Sequence, residues 1–307
     1  MKLKVFYTEE YNINLGILNK FHPFDGLKFQ KVAAQIGDIR NIQICEPAAS
    51  ISDTEINAFV DSLQALLLKK KGYILRALEV PKIPLVPFSW VDKKVLLPMR
   101  WAVSGTLAAA RIALAGENSW NIAGGFHHAS KGVSEGFCIY NDIGIAVQEL
   151  RNEGSLSLED NILIIDIDVH HGNGNAYTFM EDNTVTLFDI YNSEIYPNNE
   201  YTRERVDINV PLKTGADGSM YLSKLREALN KIAGNYKMAF VVAGTDVLAS
   251  DKLGGFKLNI DECATRDSLV AQKLTDLSIP FAFLGGGGYS SESALAMVAG
   301  IKNVVNI

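Results

Sequence analysis

The sequence predicts an α/β fold: a central, mostly parallel sheet with helices on both faces, forming one three-layer αβα domain over residues 1–307. Three observations carry this. Short apolar runs alternate with longer amphipathic ones along the whole chain, the pattern of β-α-β units. The run Asn161-Ile162-Leu163-Ile164-Ile165-Asp166 has almost no polar alternation, which suits a parallel strand covered on both faces. No low-complexity stretch, internal repeat or Pro/Ser-rich linker divides the chain, and 48% of its 307 residues are apolar, enough for one large core.

Taken in order, strands are expected at residues 3–7, 42–45, 120–123, 162–167, 184–188, 239–243 and 281–284, each a short run rich in branched or aromatic side chains. The first follows Met1-Lys2, a start without the apolar stretch of a signal peptide. A helix is expected from Ser52, where Glu55 three residues on completes a capping box. Further helices are expected at 98–115, 142–152, 218–233, 265–277 and 291–305, and residues 88–95 read as a rim loop ahead of Pro98.

Ligands of such sheets bind beyond the carboxyl ends of the strands. Four of these ends carry unusual chemistry: Gly124-Gly125-Phe126-His127-His128, Asp166-Ile167-Asp168-Val169-His170-His171, Gly244-Thr245-Asp246 and Gly285-Gly286-Gly287-Gly288-Tyr289. Of five histidines, four form two His-His pairs there, so these read as functional, whereas the isolated His22 reads as a hydrogen-bonded structural residue. Asp166, Asp168 and His170 recur at every second position, one face of an extended segment. Carboxylates at the end of a buried strand are costly unless paired or bound to a metal. Asp168 and His170 therefore form a ligand pair, with Asp246 as the third donor or else a helix cap. Two Asp and one His with an open position suit a catalytic Zn²⁺; Fe²⁺ or Co²⁺ fits the same donors. Adjacent His127 and His128 each need an orienting partner, for which Asp166 and Asn173 are the candidates.

These motifs, in this order, resemble the histone deacetylase and acetylpolyamine amidohydrolase family. His22-Pro23-Phe24-Asp25 and Asp189-Ile190-Tyr191-Asn192, before Ile195-Tyr196-Pro197, resemble its class IV branch. The resemblance spans nearly the whole chain and implies the arginase/deacetylase fold with eight strands. It implies that Asp168, His170 and Asp246 hold Zn²⁺, and that His128 helps to activate water. It further implies that His127 with Asp166 assists the leaving amine and that Tyr289 donates to the oxyanion. Gly136, Phe137, Tyr196, Gly287 and Gly288 would line the substrate tunnel. A K⁺ near the Asp166–His170 backbone is left open, because Leu187 is taken to stand where relatives carry a serine ligand. Asn173 stands where the class I pattern has Asp. The implied reaction is hydrolysis of an acyl-lysine amide in a peptide or protein, with a long fatty acyl group as an option. The rivals are a deacylase of small acylated amines and a silent acyl-lysine reader. A dimanganese ureohydrolase would need more bridging carboxylates than Asp246-Val247-Leu248 supplies.

A net charge of −6 argues against direct nucleic-acid binding. Cys45, Cys138 and Cys263 have no CxxC spacing, so neither a disulfide framework nor a zinc knuckle is expected. Without a membrane-length apolar run, the expectation is an intracellular protein with no membrane partner.

Overall fold

A computed structural model describes residues 2–16, 19, 22–81 and 85–307; Met1 lies outside them. One sheet of eight parallel strands runs through the molecule: β1 (Leu3–Phe6), β2 (Ile42–Cys45), β3 (Ser119–Asn121), β4 (Ile162–Asp166), β5 (Val185–Asn192), β6 (Ile208–Leu212), β7 (Met238–Val242) and β8 (Phe281–Leu284). Their spatial order is β2-β1-β3-β8-β7-β4-β5-β6. β3, β8, β7 and β4 are thus four consecutive strands, so the four motif-bearing ends share one stretch of one sheet edge. β4 and β7 are buried at every position, as strands covered on both faces must be. The two apolar clusters lie on opposite faces: Leu163 and Ile165 belong to one, Ile162 and Ile164 to the other.

Seven strands fall where the sequence placed them. The eighth, β6, has Pro211 inside it and alternates buried with exposed residues; it sits at the sheet's edge, where a missing N–H is tolerated. The capping box at Ser52 and Glu55 forms as expected. Residues 88–95 do not form a rim loop. Phe88–Val91 is helical, and a wider π-type turn over Asp92–Leu96 leads into the helix Leu97–Leu114. Pro98, which brings no N–H to the ladder, sits in the first turn of that helix.

The ends of β4 and β7 are tied by Arg266. Its buried guanidinium donates to the carbonyls of Ile167 (2.8 Å) and Gly244 (2.6 Å) and is paired with Asp267. A buried cation with all three nitrogens engaged braces the backbone just ahead of the candidate ligands. Among the described residues, no helix is long and apolar enough to cross a membrane.

Candidate metal centre and active site

The chain leaves β4 at Asp166, so the every-second-residue pattern continues through turns rather than along a strand. Asp168 N–H donates to Asp166 Oδ1 (3.2 Å), and His170 N–H donates to Asp168 Oδ1 (3.0 Å). His170 Nδ1 then lies 3.2 Å from Asp168 Oδ1 and 3.2 Å from Asp246 Oδ2. One donor atom from each of these three buried residues lies within 4.8 Å of the other two. No helix begins at Asp246, so it caps none; its Oδ1 accepts from Val169 N–H while Oδ2 turns to His170. Burial and the charge of Asp168 push the Asp246 carboxyl up. Although burial opposes a charge on His170, hydrogen bonds to the two carboxylates push it up to about 10. A cation at this point relieves both carboxylates, so the donor set fits a metal ion.

The glycine-rich loop after β8 closes over these ligands. Gly287 N–H donates to Asp168 Oδ2 at 2.8 Å, and a methyl group on Gly287 would collide with Asp246 Oδ2. The loop after β3 is held by the buried Asp142, whose carboxylate accepts from the N–H groups of Gly125 and Phe126, both at 2.8 Å. That anchor sets the two adjacent histidines, whose rings lie 4.1 Å apart. His127 Nδ1 is 2.7 Å from Asp166 Oδ2, and His128 Nδ1 is 2.7 Å from Asn173 Oδ1. The two are therefore electrostatically unlike. Burial opposes a charge on His127, but Asp166 and Asp168 outweigh it and raise the ring to about 9. Burial, His127 and His170 together hold His128 well below the ordinary histidine range. One imidazolium thus stands beside one neutral imidazole.

A family model described as "Histone deacetylase domain" matches residues 34–305. The chain belongs to the histone deacetylase family. As a member it is a hydrolase acting on amides. Histone deacetylase 2 of Arabidopsis thaliana is 34% identical over 312 residues, covering 99% of this chain and 79% of that protein. Histone deacetylase RPD3 of Saccharomyces cerevisiae is 34% identical, but over 55% of this chain and 40% of its own length. The acetoin utilization protein AcuC of Staphylococcus aureus is 30% identical over 61% of this chain and 51% of its own length. A solved histone deacetylase homologue complexed with SAHA superposes with a TM-score of 0.69 at 22% identity, covering 100% of this chain and 84% of that one. The HDA15 HD domain does so with 0.74 at 19%, covering 99% and 90%. These two likenesses establish the arginase/deacetylase fold.

Within this deacetylase framework most of the anticipated site residues meet. His127, His128, Gly136, Phe137, Gly287 and Tyr289 border one cavity of about 240 Å³. Phe137 packs against Tyr289 with ring centres 5.6 Å apart, and Tyr196, half exposed, stands edge-on to His128 at 5.1 Å. Three expectations need correction. Gly288 is buried against Thr245 and Ser293, and Gly286 takes its place in the lining. His171 turns away from the site; its ring bonds Asp189 (2.7 Å) and Thr202 (3.0 Å), so only three of the four paired histidines meet here. Leu187 pairs with Ile164 inside an apolar cluster, and the β5 residue level with Asp166 is Asp189, which holds the His171-Gly172 turn. His22, expected to be structural, also borders the cavity and meets Phe137 edge-on with ring centres 5.0 Å apart.

Three further residues had no sequence signal. Asp251 Oδ2 accepts from Tyr289 N–H at 2.7 Å, fixing the backbone that presents the phenol. Lys28 is fully buried 3.5 Å from the carbonyls of Gly286 and Gly287, and burial lowers its ammonium to about 8 against the pull of Asp246 and Asp168. Glu135 accepts from Asn173 Nδ2 at 2.6 Å. Lys28 reaches the site from a segment remote from the four motifs, whereas Glu135 adjoins Gly136 and Asp251 closely follows Asp246.

Proposed function

We propose that the chain hydrolyses the amide of an acyl-lysine side chain, with Asp168, His170 and Asp246 holding a zinc-type ion. Carrying this reading is one observation: two histidines of opposite proton affinity line a cavity, and directly behind its lining lies a buried triad of metal donors, with Gly287 N–H on Asp168 Oδ2 at 2.8 Å and His127 Nε2 3.7 Å from Asp168 Oδ1. When bound, the ion polarises the amide carbonyl and acidifies water. Neutral His128 accepts the water's proton. His127, charged and held by Asp166, stabilises the tetrahedral species and gives a proton to the leaving amine. Tyr289, on its Asp251-anchored backbone, donates its hydroxyl to the developing oxyanion. Glu79 and Glu135 beside Tyr196 favour a cationic leaving amine, which both lysine and a polyamine provide.

The cavity supports an acyl group longer than acetyl. It continues past the histidines to Trp90, Val91, Val95 and Met99 and is lined mainly by apolar side chains. Its 240 Å³ is several times the ~30 Å³ one liquid water claims.

The test uses acetyl-lysine and myristoyl-lysine versions of one peptide, and an acetylated polyamine, with and without a zinc chelator. Chelator-sensitive release of the lysine amine, faster from the myristoyl peptide, is expected. Cleavage of the polyamine alone would replace the peptide reading, and no cleavage of any with metal bound would favour an acyl-lysine reader.

A further inference from the structure

Asn173 poses a chemical problem for His128. A carboxylate in its place could only accept, which would force the proton onto His128 Nδ1. An amide can present either its oxygen or its NH₂ group, and the two are nearly the same shape. Were the NH₂ group to face the ring, Nδ1 would have to be the lone-pair nitrogen and Nε2 would carry the proton. Nε2 could then accept nothing. Asn173 alone therefore leaves the site with two competing tautomers.

The other end of the amide removes the ambiguity. Asn173 Nδ2 lies 2.6 Å from Glu135 Oε1. An ionised carboxylate has no proton to give, so the NH₂ group must face Glu135 and the oxygen must face His128, 2.7 Å from Nδ1. The carboxylate is itself held. Glu135 and Cys138 pair across a tight turn, with Cys138 N–H donating to Glu135 O at 2.9 Å. Gly136 and Phe137 inside that turn have φ of +55° and +64°. A side chain at Gly136 would strike the His128 ring, so the turn wraps directly against it. Phe137 N–H donates to Ala77 O (3.0 Å), fastening the turn to the helix Lys71–Ala77. The Tyr196 phenol lies beside the same carboxylate, and burial together with that charge pushes it up.

We propose that Glu135 is a positioning residue for the reaction: through the neutral amide of Asn173 it selects the Nδ1–H tautomer of His128 and leaves Nε2 free to accept a proton. The anion that orients this histidine is thus displaced one residue outward, to the turn at the tunnel mouth. A neutral link keeps full negative charge off the ring while preserving its orientation. The inference rests on His128 acting as the base of the proposed amide hydrolysis, but the tautomer can be read without turnover.

The experiment combines ¹⁵N-histidine NMR of the zinc-loaded protein with steady-state kinetics, using His128→Ala to assign the ring. Wild type is expected to show His128 as the Nδ1–H tautomer. Glu135→Ala is expected to add the Nε2–H form and to lower kcat by ~10-fold or more, within the range that general-base catalysis supplies, with KM changed less than about twofold. Glu135→Gln fills the same space but can turn an N–H toward Asn173, so an intermediate loss is expected; a purely steric role would leave it at the wild-type rate. Asn173→Asp alone sets two carboxylates against each other and lowers kcat, whereas Asn173→Asp combined with Glu135→Ala restores an acceptor-only partner and recovers both tautomer and rate. An unchanged ring spectrum and kcat in Glu135→Ala would overturn the proposal. So would a rate loss that the double variant does not recover while its melting temperature matches wild type. If no variant, wild type included, cleaves an amide, the hydrolase reading fails, and the ring spectra still decide the role of Glu135.

Discussion

At the residue scale, the site works by making two neighbouring histidines different. His127 faces a carboxylate and His128 an amide, at the same 2.7 Å, and their affinities for a proton diverge in opposite directions. This sets the pH dependence. The basic form of His128 is lost only as pH falls through its depressed value, so the acid limb of kcat/KM is expected well below 6.5. The charge on His127 is lost as pH rises through about 9, so the alkaline limb is expected there. His127→Gln should remove the alkaline limb and keep the acid one; a profile in which both limbs survive would reassign the charged group. The motif residues were legible in the sequence because ionisable side chains at the ends of apolar strands have few structural uses. Asp166 and Asn173 were legible as partners from the residues, but the pairing of Asp166 with His127 was legible only through the family resemblance, since the residues alone do not say how the Asp142 anchor turns the loop. Glu135 was not legible at all. Its neighbours Val133, Ser134 and Gly136 form no periodic pattern, and its contact with Asn173 spans 38 positions of sequence.

At the element scale, the ligands depend on backbone loops meeting closely at one sheet edge. Gly287 both donates to Asp168 and lies where a methyl group would meet Asp246. Gly287→Ala must therefore move the loop or a ligand. Metal affinity is expected to fall by ~10–100-fold, the usual cost of disturbing a ligand's support, with the sheet intact by circular dichroism. Competition against a chromogenic chelator measures it, and an affinity within twofold of wild type would show that the loop yields freely. The strands that build this edge were readable because buried parallel strands are continuous apolar runs. β6 was not, since Pro211 and its alternating burial belong to an edge strand. The helix Lys28–Ile36 was passed over although Phe29, Val32, Ala33 and Ile36 mark a helical face; that spacing was the available signal. Likewise Asn259 and Glu262 form a capping box that starts the helix Ile260–Asp276 five residues before the expected position 265.

At the scale of the whole molecule, the cavity is the property that single segments do not encode. Its wall combines Tyr11 and Leu15, Leu75 and Leu78, the helical stretch from Trp90 to Met99, and the two catalytic loops. None of these would suggest a pocket alone, and the stretch expected to form a rim loop instead supplies part of the wall. Acyl-chain preference therefore depends on how the helical segment packs against the sheet. Each methylene buried there contributes about 0.8 kcal/mol, so a chain with four more buried methylenes gains ~3 kcal/mol, or ~10²-fold in kcat/KM, if the cavity accepts it. Val95 borders the cavity and belongs to the apolar cluster that also holds Leu96 and Met99. Val95→Phe adds a ring in that wall and is expected to erase most of this gain for a myristoyl peptide while leaving acetyl-peptide hydrolysis within ~3-fold. Equal losses on both substrates would mean that the ring disturbs the catalytic loops. No loss on either would place the acyl chain outside this cavity, with the tunnel mouth at Phe137 and Tyr196 as the remaining surface to carry it.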